Sequence, residues 1–226
     1  MNFFTDRTRA KTAWLLPLLL LMTAAAVRLG PAGDLMALPS RAAAVLESPW
    51  TLVTYGFVHR TVWHLAVSLA LLVVILRVSG LGGGTVWGLF LGGTVTGGLV
   101  FLLRAAGAPS GGSLVGASAG ICALLPVTLL RTLPAQSAAR RLTGRLLLVV
   151  ALGDAIAFVL TGTPGFPAHL GGYLAGLPVF ARDLRRIRRE RSERQARAAA
   201  LDKAGRSGIG VLTSGEKRLL FGTHHD

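Results

Sequence analysis

Three polar residues that could carry out chemistry lie within long apolar stretches of the sequence: Ser118, His169 and His64. A serine hydroxyl is a weak nucleophile until a neighbouring base takes its proton, and histidine is the usual base. Polar side chains are costly inside a bilayer, so they mark functional sites there by default. These residue types therefore indicate nucleophilic catalysis by serine, provided that the fold brings them together.

Small residues surround both members of this candidate pair. Ser118 lies in the sequence Gly-Ala-Ser-Ala-Gly, which begins at Gly116, and His169 is followed by Gly172 and Gly176 on the same helix face. Small residues let two membrane helices approach closely, so we expect both glycines to pack against the helix of Ser118. Each feature alone has a structural explanation. A serine in a membrane helix more often forms a hydrogen bond within its own helix, and small-residue motifs more often serve only in helix packing.

Six apolar segments must position these residues, which predicts an all-α, polytopic membrane protein with six transmembrane helices. The segments are residues 13–29, 62–79, 84–103, 112–130, 146–161 and 168–181. A helix needs about 20 residues to cross a bilayer, so the last two segments are short. We predict a membrane domain over residues 1–182 and a basic tail over residues 183–226.

The distribution of basic residues predicts the orientation of these segments. Arg and Lys are frequent in residues 1–11, 131–145 and 182–189, whereas residues 105–111 and 162–167 carry no charge. Because cytoplasmic loops carry the Arg and Lys excess, both termini are predicted to be cytoplasmic. The even-numbered segments, which hold the three polar residues, then begin on the outer side. Ser118 is expected roughly 10 Å below the outer end of its helix.

The composition excludes several other classes of protein. The chain has 226 residues and a net charge of +14, with 52% hydrophobic and only 15% charged residues, which is unlike a soluble or disordered protein. A single cysteine, Cys122, excludes an intramolecular disulfide and a multi-cysteine zinc site. The basic tail has few aromatic residues, which argues against nucleic-acid binding. We predict no metal and no cofactor.

Three further residues could interact with the site. Asp154 is an acid within the fifth segment, and we expect it to pair with a buried donor or to assist gating rather than to take part in catalysis. Cys122 shares a helix face with Ser118, where we expect it to pack. His59 is expected to support the outer pocket by hydrogen bonding.

Together, these motifs resemble those of the rhomboid family of intramembrane serine proteases, of the bacterial type. Phe57-Val58-His59 with His64-Leu65 resembles the histidine motif of the second helix. The stretch from Gly116 to Ser118 resembles the nucleophile motif of the fourth helix, and Ala168 to Gly172, with Gly176, resembles the base motif of the sixth. The resemblance covers roughly Pro49 to Gly176. The three motifs together are specific for this family, whereas no single motif is.

The resemblance implies a Ser-His dyad in a bacterial plasma membrane. Ser118 would be the nucleophile and His169 the general base, with His64 and the Ser118 backbone N–H at the oxyanion and Gly116 and Ser68 in support. The implied substrates are single-span or polytopic membrane proteins, cut near the outer face of the membrane. Neither the oligomeric state nor the physiological substrate follows from the motifs.

Three departures from the family pattern leave an alternative open. The family often has Asn where this chain has Ser68, usually has Gly where it has Ala119, and often has a Trp-Arg pair in the first loop where it has Trp50-Thr51. The alternative is a catalytically inactive rhomboid-like protein that binds membrane helices. A transporter or channel is disfavoured, because the segments lack the paired interior charges of an ion path.

Overall fold

A computed structural model describes residues 12–28, 32–107, 112–161 and 165–221, and the prediction of an all-α fold is confirmed. The helices are α1 (Leu15–Arg28), α2 (Ala32–Met36), α3 (Ala42–Glu47), α4 (Thr51–Thr54), α5 (Val62–Ser79), α6 (Gly83–Gly107), α7 (Ser118–Thr132), α8 (Ala138–Thr161), α9 (Phe166–Ser207) and α10 (Ser214–Phe221). Short 3-10 turns occur at Tyr55–Phe57 and Ile209–Val211. Two short strands, β1 (Leu38–Pro39) and β2 (Ser113–Leu114), pair in antiparallel register.

Each of the six apolar segments overlaps a helix within the residues that the structure describes, and α5 shows the local signals that set its ends. The side chain of Thr61 accepts the backbone N–H of His64 at 3.1 Å, which caps the first turn. Gly80 ends the helix in the left-handed conformation at φ 61°, which glycine adopts at little cost. The predicted bounds of this segment therefore match the helix at both ends.

The predicted start of the fourth segment is wrong. Residues 112–130 were expected to be helical throughout, but α7 begins only at Ser118. Ser113 and Leu114 form β2, and Gly116 has φ 120°, a backbone conformation that ends any helical path. Apolar composition extends through this stretch, so hydropathy alone places the helix start too early.

The fifth and sixth segments belong to helices longer than their apolar parts. Helix α8 starts at Ala138, before the predicted residue 146, and α9 continues through the basic sequence to Ser207. Arg is a good helix former, so a helix continues where the hydropathy signal stops. By length and composition, two described helices, α5 and α6, could each cross a bilayer.

Helix α7 forms the centre of the apolar core. It contacts α5, α6 and α8, and every residue from Ala119 to Leu125 is buried. A helix that is apolar and buried on all sides belongs inside a bundle. By contrast, α1 and α8 expose large apolar side chains, including Leu15, Leu18, Leu146, Val149 and Leu160. An exposed apolar surface of this kind suits contact with lipid.

Residues 32–61, which precede α5, fold against the core and anchor the strand that precedes α7. The buried hydroxyl of Tyr55 donates to the carbonyl of Thr94 at 2.6 Å, and burial raises the pKa of Tyr55. The carbonyl of Tyr55 accepts the N–H of Gly116 at 2.9 Å, and Leu38 pairs with Leu114. This segment therefore fixes the backbone that leads to Ser118.

The chain divides into two compact units, Met1–Phe180 and Ala181–Asp226. The predicted membrane domain over residues 1–182 and the cytoplasmic tail over residues 183–226 stay predictions. Within the second unit, Thr213 and Glu216 form a capping box at the start of α10: each side chain accepts the backbone N–H of the other residue. Lys203 also bonds Glu216 at 3.0 Å, and these partners lower the pKa of Glu216.

Candidate active site

Ser118 and His169, which the sequence analysis paired, lie in direct contact. The Ser118 Oγ is 2.8 Å from the His169 Nε2, although the residues are 51 positions apart in the chain. Ser118 is the first residue of α7, and His169 lies in the first turn of α9. A hydroxyl at hydrogen-bond distance from an imidazole nitrogen is the arrangement of a nucleophile with its general base.

Glycine residues allow α9 to approach α7 closely enough for this contact. A Cβ at Gly172 would collide with the carbonyl oxygen of Ala119, and one at Gly176 would collide with that of Ala123. Gly171 meets α6 in the same way, since a Cβ there would lie 2.6 Å from the Thr96 carbonyl oxygen. The two glycines expected to face the helix of Ser118 are thus in backbone contact with it.

The start of α7 at Ser118 determines which backbone groups surround its hydroxyl. The first backbone bond of α7 runs from the N–H of Ile121 to the carbonyl of Ala117 at 3.0 Å. The N–H of Ser118 precedes this bond, and such groups at a helix N-terminus have no acceptor within their own helix. Ser118 therefore combines a nucleophilic hydroxyl with a backbone donor at the positive end of a helix dipole.

His64 lies against the loop that leads to Ser118. A Cβ at Gly116 would be 2.5 Å from the His64 Cε1 and 2.8 Å from its Nε2, so the imidazole ring occupies the space that a side chain would take. Ser68 follows one turn later on α5 and is buried. Both side chains line the same cavity as Ser118 and His169, so the structure brings these four predicted residues together.

The cavity has a volume of about 230 Å³ and is otherwise mostly apolar. Its remaining lining residues are Val67, Leu71, Ile121, Cys122, Leu125, Val150, Asp154 and Tyr173. In apolar surroundings the effective dielectric constant is low, so electrostatic interactions between the polar groups are stronger than in water.

His59 contacts two residues next to the site, Ala117 and His64. Its Nε2 accepts the backbone N–H of Ala117 at 3.5 Å, a long hydrogen bond, and its ring meets that of His64 edge-on with centroids 5.0 Å apart. Burial, followed by the proximity of His64, lowers the pKa of His59 to about 4. His59 is therefore neutral near pH 7, which leaves a ring nitrogen free to accept the N–H of Ala117.

Asp154, which the sequence analysis placed near the site, contacts His169. Both of its carboxylate oxygens lie near the His169 Nδ1, at 2.9 and 2.8 Å. The expectation that Asp154 pairs with a donor fits this contact, but the sequence analysis did not predict that the donor is His169. An acid in an apolar segment is an available signal, because such residues are costly and mark functional sites.

Cys122 lies close to this pair. One ligand atom from each of Cys122, Asp154 and His169 lies within 4.8 Å of the other two, a spacing that suits a metal ion. Asp154 and His169 already bond each other directly, and Cys122 is buried. Packing in the apolar core therefore accounts for Cys122 better than metal ligation does.

One of two comparisons relates the chain to known proteins. The family model described as the rhomboid domain matches residues 46–186. This range covers more than half of the chain, including α5 to α8, the first turns of α9 and every residue of the site. No curated protein matches the chain.

Proposed function

Because this chain belongs to the rhomboid family, whose members are generally intramembrane serine proteases, we propose that it is an intramembrane serine endopeptidase. The observation that carries the proposal is the 2.8 Å contact between the Ser118 Oγ and the His169 Nε2. The proposed substrates are transmembrane helices of single-span or polytopic membrane proteins, cut near the outer face.

The proposed reaction begins when His169 takes the hydroxyl proton of Ser118 at Nε2. The Ser118 oxygen then attacks the scissile carbonyl carbon, and a tetrahedral oxyanion forms. As the C–N bond breaks, His169 returns the proton to the leaving amine. Water then hydrolyses the acyl-enzyme by the same steps, which regenerates the free hydroxyl.

Donors near Ser118 would stabilise the oxyanion. The Ser118 N–H and the imidazole of His64 are the proposed donors, with Ser68 and the Gly116 loop in support. A preorganised donor of this kind typically contributes about 2.7–4 kcal/mol to the stability of the transition state. Ser68 carries a shorter donor than the Asn found in many family members, so its contribution depends on how closely the oxyanion approaches α5.

The proposed location is a bacterial plasma membrane, with both termini in the cytoplasm. The exposed apolar side chains on α1 and α8 support a membrane location, and the uncharged connection at residues 105–111 supports an outer position for the start of α7. In this orientation the site lies toward the outer face, where water can reach it.

The direct test is cleavage of a single-span substrate in proteoliposomes. We expect wild type to cleave, and Ser118→Ala or His169→Ala to lower kcat by roughly 10⁴-fold or more, because each removes an atom of the reaction. Ser192→Ala removes an exposed serine from the second unit and should leave kcat unchanged. Full activity in either active-site variant contradicts the proposal.

The inactive rhomboid-like alternative makes a different prediction for the same preparation. It rests on Ser68 and Ala119, which depart from the family pattern. An inactive protein would bind membrane helices without cleavage, and Ser118 would not react with a fluorophosphonate. Labelling of wild type that is lost in Ser118→Ala rejects this alternative.

A further inference from the structure

We propose that Asp154 is a positioning residue for His169, so that this chain uses a Ser118–His169–Asp154 triad where the family resemblance implies a dyad. The inference rests on the proposed serine-protease function and adds a third residue to it. The three side chains come from three different helices: α7, α9 and α8, respectively.

The imidazole of His169 has a hydrogen-bond partner at each of its two ring nitrogens. Its Nδ1 lies 2.8 and 2.9 Å from the two carboxylate oxygens of Asp154, and its Nε2 lies 2.8 Å from the Ser118 Oγ. The His169 and Asp154 side chains are only 20% and 26% exposed. A ring bonded at both nitrogens cannot rotate without breaking one of these contacts.

The carboxylate also selects the tautomer of His169. An ionised carboxylate only accepts hydrogen bonds, so the Nδ1 that faces Asp154 must carry the ring proton. The Nε2 then presents a lone pair to the Ser118 hydroxyl, which is the form that a general base requires. The opposite tautomer would point an N–H at Ser118 and could not accept its proton.

Asp154 has a second effect during the reaction. When the Ser118 proton moves to Nε2, His169 becomes a cation while its Nδ1 proton stays in place. A carboxylate at 2.8 Å stabilises this cation, and the mostly apolar cavity strengthens the attraction. The other titratable groups that line the cavity with this pair are His64, Cys122 and Tyr173, none of which is a carboxylate.

A purely structural role is the competing explanation. An acid within a membrane helix commonly pairs with a donor on a neighbouring helix, and such a bond between α8 and α9 could simply hold the bundle together. A structural bond would act on folding, whereas a positioning residue acts on kcat in a protein that remains folded. The two roles therefore separate when kcat, KM and thermal unfolding are measured on the same variants.

The test uses the full chain in proteoliposomes with a single-span substrate. Asp154→Asn keeps the shape of the side chain, but its amide can donate to Nδ1 and thereby favour the wrong tautomer. We expect kcat to fall by about 10⁴-fold with little change in KM or in the unfolding temperature, as for a triad aspartate. Asp34→Asn makes the same substitution at an exposed acid of the same unit and should change none of these quantities.

Two further variants test the carboxylate itself. Asp154→Ala leaves space beside Nδ1, and added formate should restore part of the lost kcat by supplying a carboxylate there. Asp154→Glu keeps the charge on a longer side chain and should retain more activity than Asp154→Asn. A merely structural role does not predict recovery of kcat by formate in a protein that is already folded.

The outcomes distinguish this inference from the function on which it rests. Wild-type kcat in Asp154→Asn overturns the triad while leaving the Ser118–His169 pair intact. Losses of kcat that follow a falling unfolding temperature, with no effect of formate, also overturn it in favour of a structural bond. If wild type neither cleaves nor reacts with a fluorophosphonate, the proposed function fails and the triad fails with it.

Discussion

At position 116 the backbone conformation and the contact with His64 both require glycine. Its φ of 120° is rarely open to residues with a side chain, and a Cβ would overlap the ring of His64. Its N–H is also held by the carbonyl of Tyr55 at 2.9 Å. The position of one glycine therefore sets the direction of the backbone into Ser118 and the place of a proposed oxyanion donor.

Gly116→Ala should consequently damage catalysis more than folding. The added methyl displaces His64, and the loss of one oxyanion donor lowers kcat by about 10²–10³-fold. Strained backbone of this type costs of order 1–3 kcal/mol, which the unfolding free energy should show. Gly88→Ala is the matched control, because a Cβ there meets nothing within 4 Å. Equal kcat in the two variants would contradict this role of Gly116.

At the scale of the helices, the site depends on how closely α9 approaches α7. The Ser118–His169 contact joins residues at the starts of the two helices, and the backbones touch at Gly172 and Gly176. Helix α8 adds Asp154 from a third direction. The geometry of the candidate site thus depends on the spacing between the helices rather than on any single helix.

Gly172→Ala should separate these helices, because its Cβ would collide with the carbonyl oxygen of Ala119. Overpacking of a tight interface typically costs about 1–3 kcal/mol. A shift of about 1 Å between the reacting groups of Ser118 and His169 can lower kcat roughly 100-fold. Gly205→Ala lies on the same helix with no neighbour within 4 Å and serves as the control. We therefore expect Gly172→Ala, but not Gly205→Ala, to lower both the unfolding free energy and kcat, as measured by unfolding and cleavage assays. An unchanged kcat in Gly172→Ala would show that the helices accommodate the methyl group without moving His169 away from Ser118.

At the scale of the whole molecule, the stability of the first unit should depend on pH through His59. Burial lowers the pKa of His59 to about 4, below the usual value of about 6.5 for histidine. Between these values the unfolded chain binds more protons than the folded one, so stability falls as the pH drops from 6.5 toward 4. When His59 takes up a proton, its Nε2 can no longer accept the hydrogen bond of the Ala117 N–H.

Thermal unfolding in detergent across this pH range tests the prediction. The unfolding temperature of wild type should fall as the pH drops, and His59→Gln should lose part of that fall. Glutamine does not titrate, yet its carbonyl can still accept the N–H of Ala117. Identical pH dependence in the two proteins would assign the effect to other groups.

Local patterns in the chain were sufficient to predict the all-helical fold, the regions of its six main helices and the rhomboid family. These properties depend on apolar runs, caps and short motifs, which act between residues close in sequence. The same patterns also indicated Ser118 and His169 as a pair, because polar residues are scarce in apolar segments and each one is a candidate.

Tertiary structure decided the start of α7 at Ser118 and the contact between Asp154 and His169. The first depends on strand pairing between Leu38 and Leu114 and on the φ of Gly116, neither of which hydropathy records. The second depends on the rotation of α8 relative to α9, which determines whether an acid 15 residues before His169 faces its Nδ1 or faces lipid. Hydrophobic periodicity constrains this rotation only loosely, so distances that decide chemistry emerge only once the helices are packed.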